Sequence, residues 1–425
     1  MRRSTRKRTL MMAVLAALTL AAAGCSGSGA GGQASSGPVT VGVILPLSGP
    51  NAELGQPIMN GMEAARKLVN KRGGIGGRPV QFARVDASSE QAARTGAVRL
   101  LNQGVRVVMG TYASTLALAA APVIVRGGGV YVEEGAASST LTSEGLDRIL
   151  RVNPTAQMSA REALTFTASE LSKATGVPVS KITVGWVGPD DDFARDYARG
   201  LTNTAQQLGM KLVLSLQYPI TATNLDGVAA QVRQANPDIL GMGAFVDDGV
   251  ILGRALRDAK VASKVIFGGS GGTAGASWVN ALGSDANGTF NVGFVPEFNS
   301  AGLPAATRQR LAAFNTAYKQ QTGTEPNGYA RAGFDAAWVL LDRIMRAHNT
   351  TDPARIRQVG GSLNLPVGTL LNGWGVKFDQ NGQNTRAFYQ IGQWQKGVQK
   401  AVSPQNIAMT QPTMIPLPPW GNRNG

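Results

Sequence analysis

The sequence predicts an α/β protein with two lobes, each built on a doubly wound parallel sheet. Short apolar runs typical of buried strands alternate with segments of helical periodicity, starting with a strand at 39–45 and a helix at 52–69. The alternation restarts after Arg151-Val152-Asn153-Pro154, with no sequence repetition between the halves. Such alternation is typical of parallel sheets with helices on both faces. The 425 residues suffice for two or three domains.

The individual elements follow from apolar runs and the glycine or proline turns between them. In the first half we predict strands at 39–45, 80–85, 105–109 and 130–133 and helices at 52–69, 90–102 and 115–126. In the second half we predict strands at 182–187, 211–216, 238–241 and 265–267 and helices at 193–207, 228–234 and 250–260. Helices at 305–321 and 330–348 and a glycine-rich β-type tail at 370–394 complete the chain.

The first residues predict an export signal. A basic stretch at 1–8 without acids precedes an apolar stretch at 10–23, which is too short to span a bilayer. It ends at Ala22-Ala23-Gly24-Cys25 and resembles a bacterial lipoprotein signal, in which Cys25 becomes the lipidated first residue. We therefore expect a signal peptide at 1–24, a flexible tether at 25–37 and anchoring on the outer face of the cytoplasmic membrane. The alternative is an ordinary signal with a chance cysteine.

Composition excludes several classes of function. One cysteine rules out an intrachain disulfide, and one histidine leaves few ligands for a metal, so we expect no metal and no other cofactor. The net charge of +15 includes five basic residues in the first 24, and the others are scattered. This pattern does not favour nucleic-acid binding. The glycine turn at 73–77 lies between a helix and a strand, the reverse of the order that a dinucleotide site requires.

One segment fits a catalytic motif. Residues 268–272, Gly-Gly-Ser-Gly-Gly, match the nucleophile elbow of serine hydrolases, with Ser270 as nucleophile. Asp335 and His348 follow in the chain order of such a triad. No helix is evident directly after Gly272, however, and His348 ends a predicted helix. A serine hydrolase using Ser270 therefore stays a remote alternative, and we expect no enzyme.

Several motifs together carry a family resemblance. They are Val41-Gly42-Val43 with Pro46-Leu47-Ser48-Gly49-Pro50, then Gly73-Gly74-Ile75-Gly76-Gly77-Arg78, Gly110-Thr111-Tyr112-Ala113-Ser114 and Phe378-Asp379-Gln380-Asn381-Gly382-Gln383. In this order and spacing, the chain from 39 to 420 resembles the substrate-binding lipoproteins of branched-chain-amino-acid-type ABC importers. These are type I periplasmic binding proteins.

The resemblance implies a bilobed fold whose lobes are joined by a hinge. Lobe 1 would comprise 38–153 plus about 297–363, and lobe 2 would comprise 154–296 plus about 364–425. Such a receptor closes on a small solute, an amino acid, amide or related carboxylate, and delivers it to ABC permease subunits. The alternative is a sensor of the same fold that signals to a protein partner. Neither function needs a cofactor, a metal or nucleic acid.

The site itself can be placed partly from physical reasoning. Ligands of open α/β sheets lie at the carboxyl ends of strands, and Ser114 follows such a strand and opens a helix. Its hydroxyl and the amides after it suit a carboxylate, although a serine here can also be only a helix cap. The candidate ligand-binding residues, most of them implied by the resemblance, are Leu54, Ser114, Thr115, Gly135, Ala136, Ala137, Ser138, Phe193, Phe245, Asp247, Ser270 and Gly271.

Four of these positions depart from the family pattern. Leu54 and Phe193 stand where the family often has tyrosine, Ala137 lacks a hydroxyl, and Gly271 replaces the glutamate that neutralises a ligand ammonium. A buried ammonium needs a carboxylate partner. We therefore expect a ligand with a carboxylate or amide head and an apolar body, unless Asp247 or Asp248 supplies the missing charge.

Overall fold

Two β-sheets covered by helices form the body of the protein. The computed structural model describes residues 37–49, 51–269 and 271–424. The predicted signal peptide, Cys25, the predicted tether up to residue 36, and Ser270 lie outside these described residues.

The first sheet has five parallel strands in the order β2-β1-β3-β4-β5. These strands are β1 (Val39–Leu45), β2 (Val80–Asp86), β3 (Val107–Gly110), β4 (Val130–Glu133) and β5 (Ile149–Arg151). β1 and β3 at the centre are buried almost throughout, which fits their unbroken apolar sequence. Helices cover this sheet, namely α1 (Ala52–Lys71), α2 (Glu90–Asn102), α3 (Ser114–Arg126) and the short α4 (Thr140–Ser143).

The second sheet has seven strands in the order β12-β11-β10-β9-β8-β6-β7. Its strands are β6 (Thr183–Pro189), β7 (Lys211–Tyr218), β8 (Ile239–Met242), β9 (Val265–Gly269), β10 (Phe290–Gly293), β11 (Gln390–Gln395) and β12 (Val398–Ser403). The strands from β6 to β10 pair in parallel, and β11 and β12 add an antiparallel edge. The sequence predicted a longer β-type tail from residue 370, but its regular strands begin only at Gln390.

The remaining helices divide between the two sheets. They are α5 (Ala156–Thr175), α6 (Asp192–Gln207), α7 (Asp226–Ala235), α8 (Val246–Asp258), α9 (Ala276–Leu282), α10 (Ala305–Thr322), α11 (Gly328–Trp338) and α12 (Pro353–Ser362). α11 packs along α1 of the first sheet and continues as a π-helix at Val339–Arg346. The predicted helix at 330–348 is therefore one α-helix and one π-helical turn.

α5 is the largest element that the sequence interpretation missed. It begins right after Pro154, where the Thr155 hydroxyl accepts a hydrogen bond from the backbone N–H of Met158. It ends at Gly176, which adopts the left-handed conformation with φ of 73°. Half of its buried residues are alanine and only two are leucine, so its hydrophobic periodicity is weak even though the helix packs against α6.

No helix among the described residues is long and apolar enough to cross a membrane.

Candidate functional site

A cavity lies where the carboxyl ends of strands from both sheets meet. The empty space between its lining atoms, together with open solvent at its mouth, is about 420 Å³. The described residues that line it are Tyr112, Ser114, Gly135, Ser159, Phe193, Phe245, Val292, Gly293, Phe294, Tyr329 and Tyr389. A concave, mainly apolar space with a few convergent polar groups is typical of a small-molecule site.

Ser114 is the first residue of α3, and its hydroxyl joins two loops of the cavity wall. The helix is capped by Ala113, which has no polar side chain, so Ser114 is not the N-cap residue. Its Oγ accepts a hydrogen bond from the backbone N–H of Ser138 at 3.0 Å. A serine hydroxyl has one proton to donate, and no acceptor for it is found among the described residues. This proton can therefore serve an oxygen atom placed in the cavity.

A buried carboxylate, that of Glu133, organises the loops on either side of Ser114. It accepts hydrogen bonds from the backbone N–H groups of Thr111, Tyr112, Glu134, Gly135 and Ala136 and from the Tyr131 hydroxyl. Burial raises the pKa of Glu133, and these hydrogen bonds oppose the rise. Sequence analysis missed this role, although a glutamate that ends an apolar strand is a signal for it.

Glu134, the next residue, is equally buried, and neither of its carboxyl oxygens has a partner among the described residues. Burial first, and then the charge of Glu133, raise the pKa of Glu134 well above its usual value. Burial therefore shifts this side chain toward its neutral form.

Arg151, at the end of β5, supports the same loop from behind. Its guanidinium is fully buried and donates to the backbone carbonyls of Ser138 and Ala136, to Gln383 Oε1 and to Thr142 Oγ1. Burial lowers its pKa to about 10, so the group stays cationic at neutral pH. Arg151 thus connects the loop at 136–138 with the segment around Gln383.

Phe193 enters the cavity from the first turn of α6. Asp191, two residues before Phe193, caps this helix because its carboxylate accepts a hydrogen bond from the backbone N–H of Ala194 at 2.7 Å. Burial raises the pKa of Asp191 to about 7. The Phe193 ring lies 5.6 Å from that of Tyr197 and 6.1 Å from that of Phe245. These aromatic neighbours keep the Phe193 side chain, 6% exposed, at the cavity wall.

Phe245 lines the cavity just before α8, but the acids after it do not. Asp247 is exposed to solvent. The Asp248 carboxylate accepts hydrogen bonds from the Tyr218 hydroxyl at 2.7 Å and from the backbone N–H of Phe245 at 2.9 Å. Asp248 thus holds the start of α8, and neither acid is among the lining residues.

Gly271, in the loop after β9, and Leu54, in the first turn of α1, meet beside the cavity. A Cβ atom on Gly271 would lie 2.9 Å from Leu54 Cδ1, 3.3 Å from the Tyr112 hydroxyl and 3.6 Å from that of Tyr329. Gly271 also has φ of +108°, a conformation that residues with a side chain rarely adopt. The structure therefore leaves no room for a glutamate at this position without rearrangement.

An aromatic wall that sequence analysis did not predict completes the cavity. The ring of Tyr329 contacts those of Tyr112 and Phe294 edge-on, at 5.7 and 5.2 Å between centroids. Phe294 in turn lies 6.1 Å from Tyr389. Tyr112 stands within a motif quoted for the family resemblance, but Tyr329 and Tyr389 come from distant segments that no spacing connects to Ser114.

The other predicted site residues lie behind or beside the lining. Ala136, Ala137 and Ser138 are buried in the loop held by Arg151, and the Ala137 carbonyl accepts the backbone N–H of Ala156 at 2.7 Å. Thr115 is half-buried in α3. Of the predicted residues, Ser114, Gly135, Phe193 and Phe245 thus line the cavity, and Leu54 and Gly271 adjoin it.

The residues proposed for a hydrolytic triad are not assembled in the part of the chain that is described. The Asp335 carboxylate is buried and accepts from the backbone N–H groups of Leu371 and Asn372. Burial raises its pKa to about 7. His348 is exposed at the end of the π-helical turn. No group of His, Cys, Asp and Glu side chains in the described ranges could hold a metal ion.

Two helix-covered β-sheets that share a cavity at their strand ends are typical of the bilobed type I periplasmic binding proteins. The family described as periplasmic binding protein matches residues 38–399, and the chain belongs to this family, in its branched-chain-amino-acid type. The predicted fold class and family are therefore confirmed. The members are extracytoplasmic binding proteins rather than enzymes.

Individual relatives cover most of the chain. A Leu/Ile/Val-binding protein homolog 8 from Brucella abortus is 29% identical over 88% of this chain and 92% of its own length. A substrate binding protein of a branched-chain amino acid transporter from Streptococcus pneumoniae, in complex with isoleucine, superposes with a TM-score of 0.72 at 17% identity, covering 86% of this chain and all of its own. A solute binding protein from R. palustris in complex with benzoate superposes with a TM-score of 0.71 at 18% identity, covering 89% of this chain and 99% of its own.

Proposed function

We propose that this protein is the extracytoplasmic solute receptor of an ABC importer. It closes two lobes on a small solute, an amino acid, amide or related carboxylate, and presents the closed form to the permease. Lobe 1 comprises 38–153 plus about 297–363, and lobe 2 comprises 154–296 plus about 364–425. The observation that carries the proposal is the cavity lined from the loops of both sheets, because lobe closure can then be coupled to ligand binding.

The proposed binding groups come from both sides of this cavity. Ser114 and the first amides of α3 bind a carboxylate or carbonyl oxygen, since a helix N-terminus favours negative charge. Gly135 closes this end, and Phe193 and Phe245 contact the apolar body from the other side. Two proteins of this fold hold such different ligands as isoleucine and benzoate, so the fold alone does not select the solute.

A thermal-shift screen of the full chain against amino acids, amides, carboxylates and ureas tests the receptor function. A ligand present at 100 times its Kd stabilises the folded state by about 2.7 kcal/mol. We expect at least one compound to raise Tm progressively with its concentration. The function is contradicted if no member of the four classes raises Tm at millimolar concentration.

We further propose that Cys25 carries a lipid anchor and takes no part in binding or folding. We expect Cys25→Ser to move the protein from the membrane fraction to the soluble exported fraction of cells, with its ligand affinity unchanged. Ser26→Ala is the matched control and should leave the protein in the membrane. Membrane retention of the Cys25→Ser variant would contradict the anchor without touching the receptor function.

A further inference from the structure

The polar end of the cavity offers mainly hydrogen-bond donors. The Ser114 Oγ already accepts from the backbone N–H of Ser138, which leaves its proton to donate. The first backbone N–H groups of α3 also have no partner within the helix, as at every helix N-terminus. A ligand group placed there must be an acceptor, and an anion is favoured by the helix dipole.

An ammonium group finds no counter-charge in the same cavity. None of the described lining residues is acidic or basic. The glutamate that could have faced an ammonium is replaced by Gly271, where a side chain does not fit. Glu133 is occupied by backbone N–H groups, and Glu134 is not among the described lining residues. A buried ammonium without a charged partner costs several kcal/mol.

Most of the remaining wall is aromatic. Six of the eleven described lining residues carry rings, namely Tyr112, Phe193, Phe245, Phe294, Tyr329 and Tyr389. They approach from both sheets, since Tyr112 follows β3 of the first sheet and Phe193, Phe245 and Phe294 follow strands of the second. Aromatic groups prefer edge-to-face and offset contacts at centroid distances of about 4.5–7 Å, so such walls favour a flat ring as the ligand body.

From these three observations we infer that the ligand is an aromatic monocarboxylate without an ammonium group. Its carboxylate accepts hydrogen bonds from the Ser114 hydroxyl and the amides of α3. Its ring packs between the Phe193–Phe245 pair and the Tyr112–Tyr329–Phe294 group. The inference rests on the proposed receptor function and names its substrate class.

Matched ligands separate the parts of this inference in isothermal titration calorimetry with the full chain. 3-Phenylpropanoate and phenylalanine differ only in the ammonium group, and we expect the amino acid to bind at least about 100-fold more weakly. 4-Methylpentanoate and leucine form the corresponding aliphatic pair. We expect 3-phenylpropanoate or benzoate to bind at least about 10-fold more tightly than 4-methylpentanoate, and benzamide more weakly than benzoate.

Variants connect the preference to the named residues. Phe193→Leu should weaken the binding of the aromatic carboxylates more than that of 4-methylpentanoate. Phe82→Leu, on β2 and outside the cavity lining, is the matched control and should leave all affinities unchanged. Glu134→Gln should not change the ranking, because Glu134 is not among the described lining residues.

Each outcome has a distinct consequence. Tighter binding of leucine or phenylalanine than of their des-amino analogues overturns the inferred class and leaves the receptor function intact. Loss of that amino-acid binding in Glu134→Gln would name Glu134 as the ammonium partner. Tightest binding of 4-methylpentanoate overturns the aromatic part alone. If no carboxylate binds and no compound in the thermal-shift screen does, both the class and the receptor function fail.

Discussion

Replacing Arg151 with methionine is expected to lower the free energy of unfolding by about 3–5 kcal/mol. The guanidinium donates to two backbone carbonyls of the loop at 136–138 and to side chains of Gln383 and Thr142. Methionine fills much of the volume but leaves these buried acceptors unpaired, and each costs about 1–3 kcal/mol. Removing the buried charge also removes its desolvation cost, which offsets part of that loss.

Urea unfolding measures the effect of Arg151→Met, and Arg257→Met provides the matched control. Arg257 pairs with Asp258 at the surface, so its loss should change the free energy of unfolding by less than about 1 kcal/mol. Because Arg151 orients the loop that carries the Ser138 N–H, ligand affinity should fall as well. An Arg151→Met protein that unfolds at the urea midpoint of the control would show that the guanidinium does not support the loop.

Much of the scaffold was predictable because its signals are local. The predicted strands at 39–45 and 130–133 and the helix at 90–102 have the observed bounds, since apolar runs and turn residues mark them. α5 was missed because half of its buried residues are alanine and two more are Ser159 and Thr167, and such small or polar side chains contribute little to a hydrophobic pattern. Local pattern thus predicts elements whose buried face is made of large side chains.

The cavity was only partly predictable because it depends on contacts between distant segments. Ser114, Gly135 and Phe193 each follow a strand, and parallel strands bring their carboxyl ends together, so their convergence could be inferred. Tyr329 lies in the first turn of α11 and Tyr389 directly precedes β11, and nothing in their surroundings marks them as lining residues. The aromatic character of the wall emerges only from the packing of both sheets.

Replacing Ser114 with alanine is expected to weaken ligand binding about 10- to 150-fold. In the proposed site the hydroxyl of Ser114, a cavity-lining residue, donates to a charged oxygen of the ligand, and one such hydrogen bond contributes about 1.5–3 kcal/mol. The same change leaves the backbone N–H of Ser138 without its acceptor, so Tm should fall too. Calorimetry with the carboxylate that raises Tm most, and a melting curve of the same variant, measure both effects.

Ser89→Ala separates direct binding by Ser114 from a purely structural role. Ser89 caps α2 by accepting the backbone N–H of Ala92 at 3.2 Å, and it is not among the cavity-lining residues. Its loss should lower the free energy of unfolding by about 0.5–2 kcal/mol and leave Kd unchanged. If Ser114→Ala behaves in the same way, with Kd within about twofold of the parent protein, Ser114 only holds the loop at Ser138. A loss of affinity confined to Ser114→Ala is the result expected if its hydroxyl binds the ligand.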